Sequence, residues 1–386
     1  MQAFLASLAR ELRYLRHNPP ELFAATALPL LLLALTAWLF SAGVPRGLPI
    51  ALVDGDRSPQ SRALARGLAA APGIAVVAQP DDLESGWSLL RRLEAYALVH
   101  VPHGTRDTLA RGGTATVFGY YNAAWQTPGE SAYREIQAVV QALGAELASS
   151  EVAQALGPGR VRPPPVEVQR TVLYNAAGSY EQYLGLLVHG AMLHLLLCLC
   201  AIAAVGRELR DGTAPAWLEA CGDRPLAALL GKLGPYLVAF TGYGLAALWF
   251  LREWRGPGIA GSYLLLGAAQ FTMYAAYAAM GLLFVALTRT MTVSLSLAGF
   301  YAGASLAFAN VVFPVETGSA FTRLWSQLLP FTHYSRVQQQ QVYFGTPWAD
   351  AAASLGILAC FVLLAGGLGA WQFSRIARDP ASWGRR

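Results

Sequence analysis

Few residues in this chain of 386 have the type and spacing to do chemistry. His189 and His194 lie five residues apart in an apolar run. On a helix their side chains diverge by about 140°, which is poor geometry for one shared metal ion. Ionisable groups inside a membrane are costly and generally face a bundle interior or a wet cavity. The pair, together with Gln182, therefore reads as a candidate translocation pathway and not as a metal centre. Cys198 and Cys200 are two apart and face different directions, so they suit neither a metal nor a redox pair. Asp54, Asp56, His100 and His103 are metal-ligand types, but aspartates around Gly55 form turns and the histidines flank Val101-Pro102 at a strand end. Gly231-Lys232 lacks the preceding glycine and the following hydroxyl of a phosphate-cradling loop. His-Glu-x-x-His and Gly-x-Ser-x-Gly are both missing, so no catalytic set, metal site or cofactor is expected in the chain itself.

The elements that must position these groups are membrane helices. Residues 22–45, 182–206, 233–251, 290–315 and 351–374 carry no charged side chain, and 256–288 is a further charge-free run long enough for one tilted helix. About 20 apolar residues at 1.5 Å each cross a hydrocarbon core of about 30 Å. The runs lack the alternation of a barrel wall. The expected fold class is a polytopic α-helical membrane protein with six transmembrane helices and an inserted extracytoplasmic α/β domain. Hydrophobic residues make up 55% of the chain and charged ones 13%, which fits that class. The net charge of +5 does not point to nucleic acid, because the basic residues fall at membrane boundaries instead of forming a patch interleaved with aromatics.

Charge also orients the helices. With the N-terminus cytoplasmic, the inner connections hold Arg10, Arg13, Arg16, Arg207, Arg210 and Lys232 among others, and the short outer ones hold Arg252, Arg255, Arg323 and Arg336. Arg252 and Arg255 run locally against this positive-inside pattern. Leu5, Leu8, Leu12 and Leu15, punctuated by Arg10, Arg13 and Arg16, predict an amphipathic elbow helix over 1–20 on the cytoplasmic face, ended by Asn18-Pro19-Pro20. The first membrane helix, 21–42, is too long for a cleaved signal and reads as an anchor. A cytoplasmic tail follows at 375–386.

Residues 43–180 alternate strand and helix. Strands are expected at Pro49–Val53, Ile74–Ala78, Tyr96–Val101 and Thr114–Tyr121, with a long helix over 129–156. This implies a small α/β domain with a mainly parallel or mixed sheet. Arg162-Pro163-Pro164-Pro165 is a stiff linker, and Val166–Gln169 alternates as a returning strand would.

The connection 206–232 reads Gly206-Arg207-Glu208-Leu209-Arg210-Asp211-Gly212-Thr213, passes Trp217, and ends Leu230-Gly231-Lys232. It resembles the coupling region of type-2 ABC exporter permeases, in which a Glu/Arg-rich stretch reaches Gly-Thr and a Leu-Gly-Lys follows. Arg10–Pro20 with Leu28-Pro29-Leu30 resembles the elbow and early helix proline of that family. Ala51–Ser58 resembles the first strand of its external domain, and Leu329-Pro330-Phe331-Thr332-His333-Tyr334 its Pro-Leu-Thr-His motif. The sequence departs from the pattern at Arg210-Asp211-Gly212-Thr213, where the family has Glu-Arg-Gly-Thr, and at Pro215, where it often has glutamate. Tyr174-Asn175 also lacks the proline that commonly follows it.

The resemblance implies the membrane subunit of an exporter in a bacterial inner membrane, with both termini cytoplasmic. It implies a separate cytoplasmic ABC ATPase that holds MgATP, and a second permease copy or paralogue. A membrane-fusion adaptor and an outer-membrane channel are further possible partners. Arg207, Glu208, Arg210, Asp211, Gly212, Thr213, Trp217 and Lys232 would couple to the ATPase. The implied mechanism is alternating access, with Ala275, Ala279 and Gly281 as small residues along which helices could slide. In residues 314–349, Phe321, Leu324, Trp325 and Leu328 form an apolar stripe on a short interfacial or re-entrant helix. Pro330, His333 and Arg336 would belong to an outer gate. A membrane enzyme using His189, His194 or His333 on lipid-linked substrates, and a sensor with an external ligand-binding domain, are the alternative readings.

Overall fold

The computed structural model describes residues 1–111, 113–123, 126–156, 174–175 and 178–384. The chain divides into two compact units, one of Met1–Gly43 with Tyr174–Arg386 and one of Val44–Leu173.

The first unit opens with α1 (Gln2–His17), α2 (Pro19–Ala25) and α3 (Ala27–Leu39). Proline at the start of α2 has no N–H to leave unsatisfied, so the chain restarts there after Asn18. Pro29 cannot donate to the carbonyl of Ala25, and the helix breaks at Thr26, with φ −126° and ψ −72°. Tyr243 donates to the freed Ala25 carbonyl at 3.4 Å.

The second unit contains β1 (Leu48–Asp54), α4 (Pro59–Ala70), β2 (Ile74–Ala78), α5 (Leu83–Arg91), β3 (Ala97–Val101), α6 (Thr105–Ala110), β4 (Phe118–Tyr121) and α7 (Gln126–Leu156). The strand order is β2-β1-β3-β4. β1 runs parallel to both neighbours, while β4 is antiparallel to β3, so the sheet is mixed. Alternate residues of β1 serve two layers. Ile50 and Leu52 pack with Leu64 and Leu68 of α4 and with Ala132 and Ile136 of α7. Ala51 and Val53 pack with Leu83, Leu89 and Leu90 of α5. Ser58 and Asp82 cap α4 and α5, accepting from the backbone N–H of Ser61 and Ser85 at 3.1 and 2.8 Å. β4 begins at Phe118, four residues later than expected, and α6 has no strong signal in the sequence. Asp54 Oδ1 accepts from the N–H groups of Asp56 and Arg57, at 3.1 and 2.8 Å, which is the turn that Gly55 suggested. The expected linker Arg162–Pro165 and strand Val166–Gln169 lie outside the described residues.

The first unit resumes with a π-helical turn, Glu181–Gly185, that runs into α8 (Leu186–Arg210). The short α9 (Ala214–Ala220) leads to α10 (Pro225–Trp249), which ends in a second π-helical turn, Phe250–Trp254. Then come α11 (Tyr263–Thr288), α12 (Met291–Gly303), α13 (Ala320–Gln327) and α14 (Pro330–Gln339). A third π-helical turn, Gln340–Phe344, precedes α15 (Trp348–Ile376).

Among the described residues, five stretches are long and apolar enough to cross a membrane: Pro19–Leu39, Glu181–Arg210, Pro225–Trp254, Tyr263–Thr288 and Trp348–Ile376. The protein is a polytopic helical membrane protein. Where a sixth span was expected over 290–315, the helix is shorter, Met291–Leu306. Beyond it Asn310 takes a left-handed conformation at φ 58° and accepts from Val315 N–H at 2.7 Å, which turns the chain before Pro314 can be reached by a helix. α13 forms where the apolar stripe predicted a short helix, but the stripe faces outward. Phe321, Leu324 and Leu328 are all exposed, and only Trp325 packs partly against the bundle.

Candidate functional site

The middle of α1, the end of α8 and the first turns of α10 meet around a set of charges that the fold largely removes from water. α1 docks on α10 through Ala3, Ser7, Glu11 and Leu15, one face at a spacing of four, and leaves Leu5 and Leu12 exposed. The approach is close because residue 231 is glycine. A Cβ there would run into the Phe4 carbonyl and lie 2.8 Å from Ser7 Cβ. The next residue, Lys232, then points inward at 1% exposure.

Lys232 Nζ lies 2.8 Å from Glu11 Oε2 and 2.7 Å from Glu208 Oε1. Arg207, in the last turn of α8, bridges Glu11 and Glu21. Arg10 extends the chain of pairs at the other end, on Glu208 Oε2 at 3.0 Å. Three cations thus face three carboxylates. Neutral donors complete the shell. Tyr236 donates to Glu11 Oε1 at 2.6 Å and Thr213 to Glu208 Oε2 at 2.5 Å. The Arg207 guanidinium lies over the Tyr14 ring, 3.8 Å from its centroid, and Lys232 lies 4.7 Å from that of Trp217. Trp217 Nε1 donates to Ser7 Oγ at 3.0 Å, which in turn donates to the Ala228 carbonyl at 2.7 Å, so α9, α1 and α10 are stitched together.

Burial pushes the Glu11 carboxyl up, but Lys232 and Arg207 outweigh it and hold its pKa below the ordinary value. An isolated charge in this position would be costly, whereas a matched set with every partner present is tolerated. Glu11, Glu21, Ser7 and Tyr236 belong to no sequence motif. The signal that points to them is the demand for counter-charges made by Arg207 and Lys232, both buried within charge-poor helices.

The predicted coupling residues therefore separate into two groups. Arg207, Glu208, Trp217 and Lys232 are buried and make their contacts within the protein. Arg210 and Asp211 stay at the surface and pair with each other at 2.7 Å. The Asp211 carboxyl is lowered by that hydrogen bond. Gly212, at φ 67°, and Thr213 terminate α8. Gly212 N–H bonds the Leu209 carbonyl at 3.2 Å and Thr213 N–H bonds the Glu208 carbonyl at 2.9 Å, a Schellman closure. The outward face of the connection is formed by Ala216, Glu219, Ala220 and Gly222–Arg224. Of the elbow arginines, Arg10 enters the network, while Arg13 and Arg16 are exposed.

The other predicted sites lie elsewhere. His189 and His194 are both buried in α8. His189 Nδ1 meets the Gly185 carbonyl at 3.0 Å, and the residue lines a cavity of about 400 Å³ between α3, α8 and α10. His194 lies between the carbonyls of Gly190 and Ala302, at 3.0 and 3.1 Å, stacked on Tyr277. Gln182 joins a separate cluster with Arg252. Pro330 starts α14, His333 Nε2 meets the Gln327 carbonyl at 3.0 Å, and Arg336 is exposed at the rim of a cavity of about 340 Å³. The structure does not bring these three groups together into one site.

A family model for ABC-2 family transporter proteins matches residues 21–371. Neither the curated proteins nor the solved structures provide a match to the chain. The matched span includes all five long apolar stretches but for the first two and last five residues of the set, and it includes the Arg207–Lys232 connection. The chain belongs to the ABC-2 family of transporter proteins.

Proposed function

We propose that the chain is the permease subunit of an ATP-driven exporter that moves a hydrophobic or amphipathic substrate, with ATP hydrolysed by a separate ABC ATPase. The observation that carries this reading is the buried ion network, which makes the middle of α1, the end of α8 and the start of α10 one mechanical unit behind the exposed edge of α9. A partner that pushes on Glu219 and Gly222–Arg224 would move that unit through Trp217. Because Arg207 and Lys232 keep their counter-charges throughout, the helices would rock as a body instead of separating. Bilayer crossing is then by alternating access, with this end cytoplasmic as the positive-inside pattern requires.

The Val44–Leu173 unit would lie outside and recruit an adaptor. The outward apolar stripe of α13 and the exposed α3 suit a second permease copy or lipid. The test is a pull-down of the tagged full-length protein from detergent-solubilised native membranes, with the eluate assayed for ATP hydrolysis. Co-purification of an ABC ATPase supports the reading. A folded permease that brings down no ATPase contradicts it.

A further inference from the structure

Arg252 stands about 30 Å along α10 from Lys232, taking about 1.5 Å for each of the intervening residues, and its environment is the opposite of the ion network. It is 4% exposed, yet among the described residues no carboxylate lies within ion-pair distance of it. Its partners are neutral. Nε donates to the Gly258 carbonyl at 2.9 Å and a second nitrogen also bonds that carbonyl, while the third donates to Gln182 Oε1 at 2.8 Å. The Tyr343 ring lies 5.2 Å from the guanidinium carbon. A guanidinium has five N–H groups, and among the described residues three of them have an acceptor, which leaves two for a ligand.

The nearby acids are engaged elsewhere. Glu181 lies 2.8 Å from Arg255, and Glu253 accepts from Tyr263 at 2.9 Å. Gln182, Arg252 and Tyr343 each belong to one of the three π-helical turns, a local geometry frequent at functional sites. Together with Arg255, Gly258 and Val342 they line a cavity of about 640 Å³, within the usual size of a ligand site. A buried charge whose only partners are neutral is expensive to maintain unless an opposite charge arrives.

We propose that this cavity binds an anionic phosphate group, with the free N–H fork of Arg252 as its principal ligand, and that the group is the head of a phospholipid or lipid-like amphiphile. The inference deepens the exporter reading by naming the class of headgroup that the outer end of the bundle accepts. It also accounts for an arginine pair that runs against the charge bias of the other connections.

The test uses delipidated full-length protein in a neutral maltoside detergent, with thermal unfolding followed during titration. The probes are dihexanoyl phosphatidylglycerol, dihexanoylglycerol without the phosphate, and inorganic phosphate. The proposal expects a saturable rise in Tm with the phosphatidylglycerol and none with dihexanoylglycerol. R252Q should weaken binding by roughly ten-fold or more, the loss of a charge-assisted contact, and more than R255Q does. An equal response to inorganic phosphate would assign the site to free phosphate. A flat titration, equal shifts with and without the phosphate, or wild-type affinity in R252Q would overturn the proposal. If R252Q does not fold, the three wild-type titrations still decide. Because no ATPase is present, a failed titration removes this site and leaves the pull-down of the partner as a separate question.

Discussion

Glu11 and Lys232 are 221 residues apart in the chain and 2.8 Å apart in space. This contact fixes the first helix against the start of α10, and it exists because Gly231 lets the two backbones touch. The pair shares its charges with Arg207 and Glu208, so removing one member leaves the buried set with one unmatched charge.

Lys232→Met should destabilise the protein by about 3–5 kcal/mol, the usual cost of breaking a buried ion pair from one side. Thermal unfolding in detergent, read by the loss of a monodisperse elution peak, checks this. A change of under about 1 kcal/mol would mean the network contributes no net stability.

Acid should loosen the elbow. The folded-state pKa of Glu11 lies below its ordinary value of 4.5, so the carboxylate contributes stability that is complete above that value and is lost as the pH falls through the folded pKa. Unfolding scans from pH 7 downward should show a drop in Tm beginning below about pH 4.5. Glu11→Gln should flatten that limb relative to wild type. An unchanged acid profile in the variant would assign the limb to other carboxylates.

Gly231→Ala should prise α1 from α10, because the new methyl meets Phe4 and Ser7 backbone and side-chain atoms that have little room to retreat. A cost of about 1–3 kcal/mol is expected from such overpacking. Limited proteolysis at the exposed Arg13 and Arg16 should become faster in the variant. Wild-type protection would show that the elbow is held by its leucine face and not by this contact.

Much of this architecture is legible in the sequence. Charge-free runs mark the long helices because lipid tolerates no unpaired charge, and the alternation of Ile50, Ala51, Leu52 and Val53 marks a strand buried on both faces. The docking face of α1 is not legible. Leu5, Leu8, Leu12 and Leu15 form the conspicuous stripe, but the helix packs through Ala3, Ser7, Glu11 and Leu15. Hydrophobic spacing identifies a face suited to an apolar surface, and cannot show that small residues and a carboxylate match a glycine and a lysine more than two hundred residues away. The same limit explains why Arg207 and Glu208 look like surface coupling charges in the sequence and are interior ones in the fold.

Gly212→Ala should cost about 1–2 kcal/mol, the penalty for a side chain in the left-handed conformation. The Schellman closure positions Thr213, whose hydroxyl reaches Glu208, so the effect should extend to the network. Thermal unfolding of Gly212→Ala and Thr213→Val measures the two contributions. Equal stability of Gly212→Ala and wild type would show that the α8 terminus tolerates another closure.

In the proposed function, the buried network transmits work between a separate ATPase and the membrane helices. It is tested most directly by the ATP hydrolysis rate of the co-purified complex, comparing wild type with Glu208→Gln at matched folding and matched ATPase content. The variant should assemble with the ATPase and lose most of its permease-dependent hydrolysis. Hydrolysis at the wild-type rate in the assembled variant would contradict it.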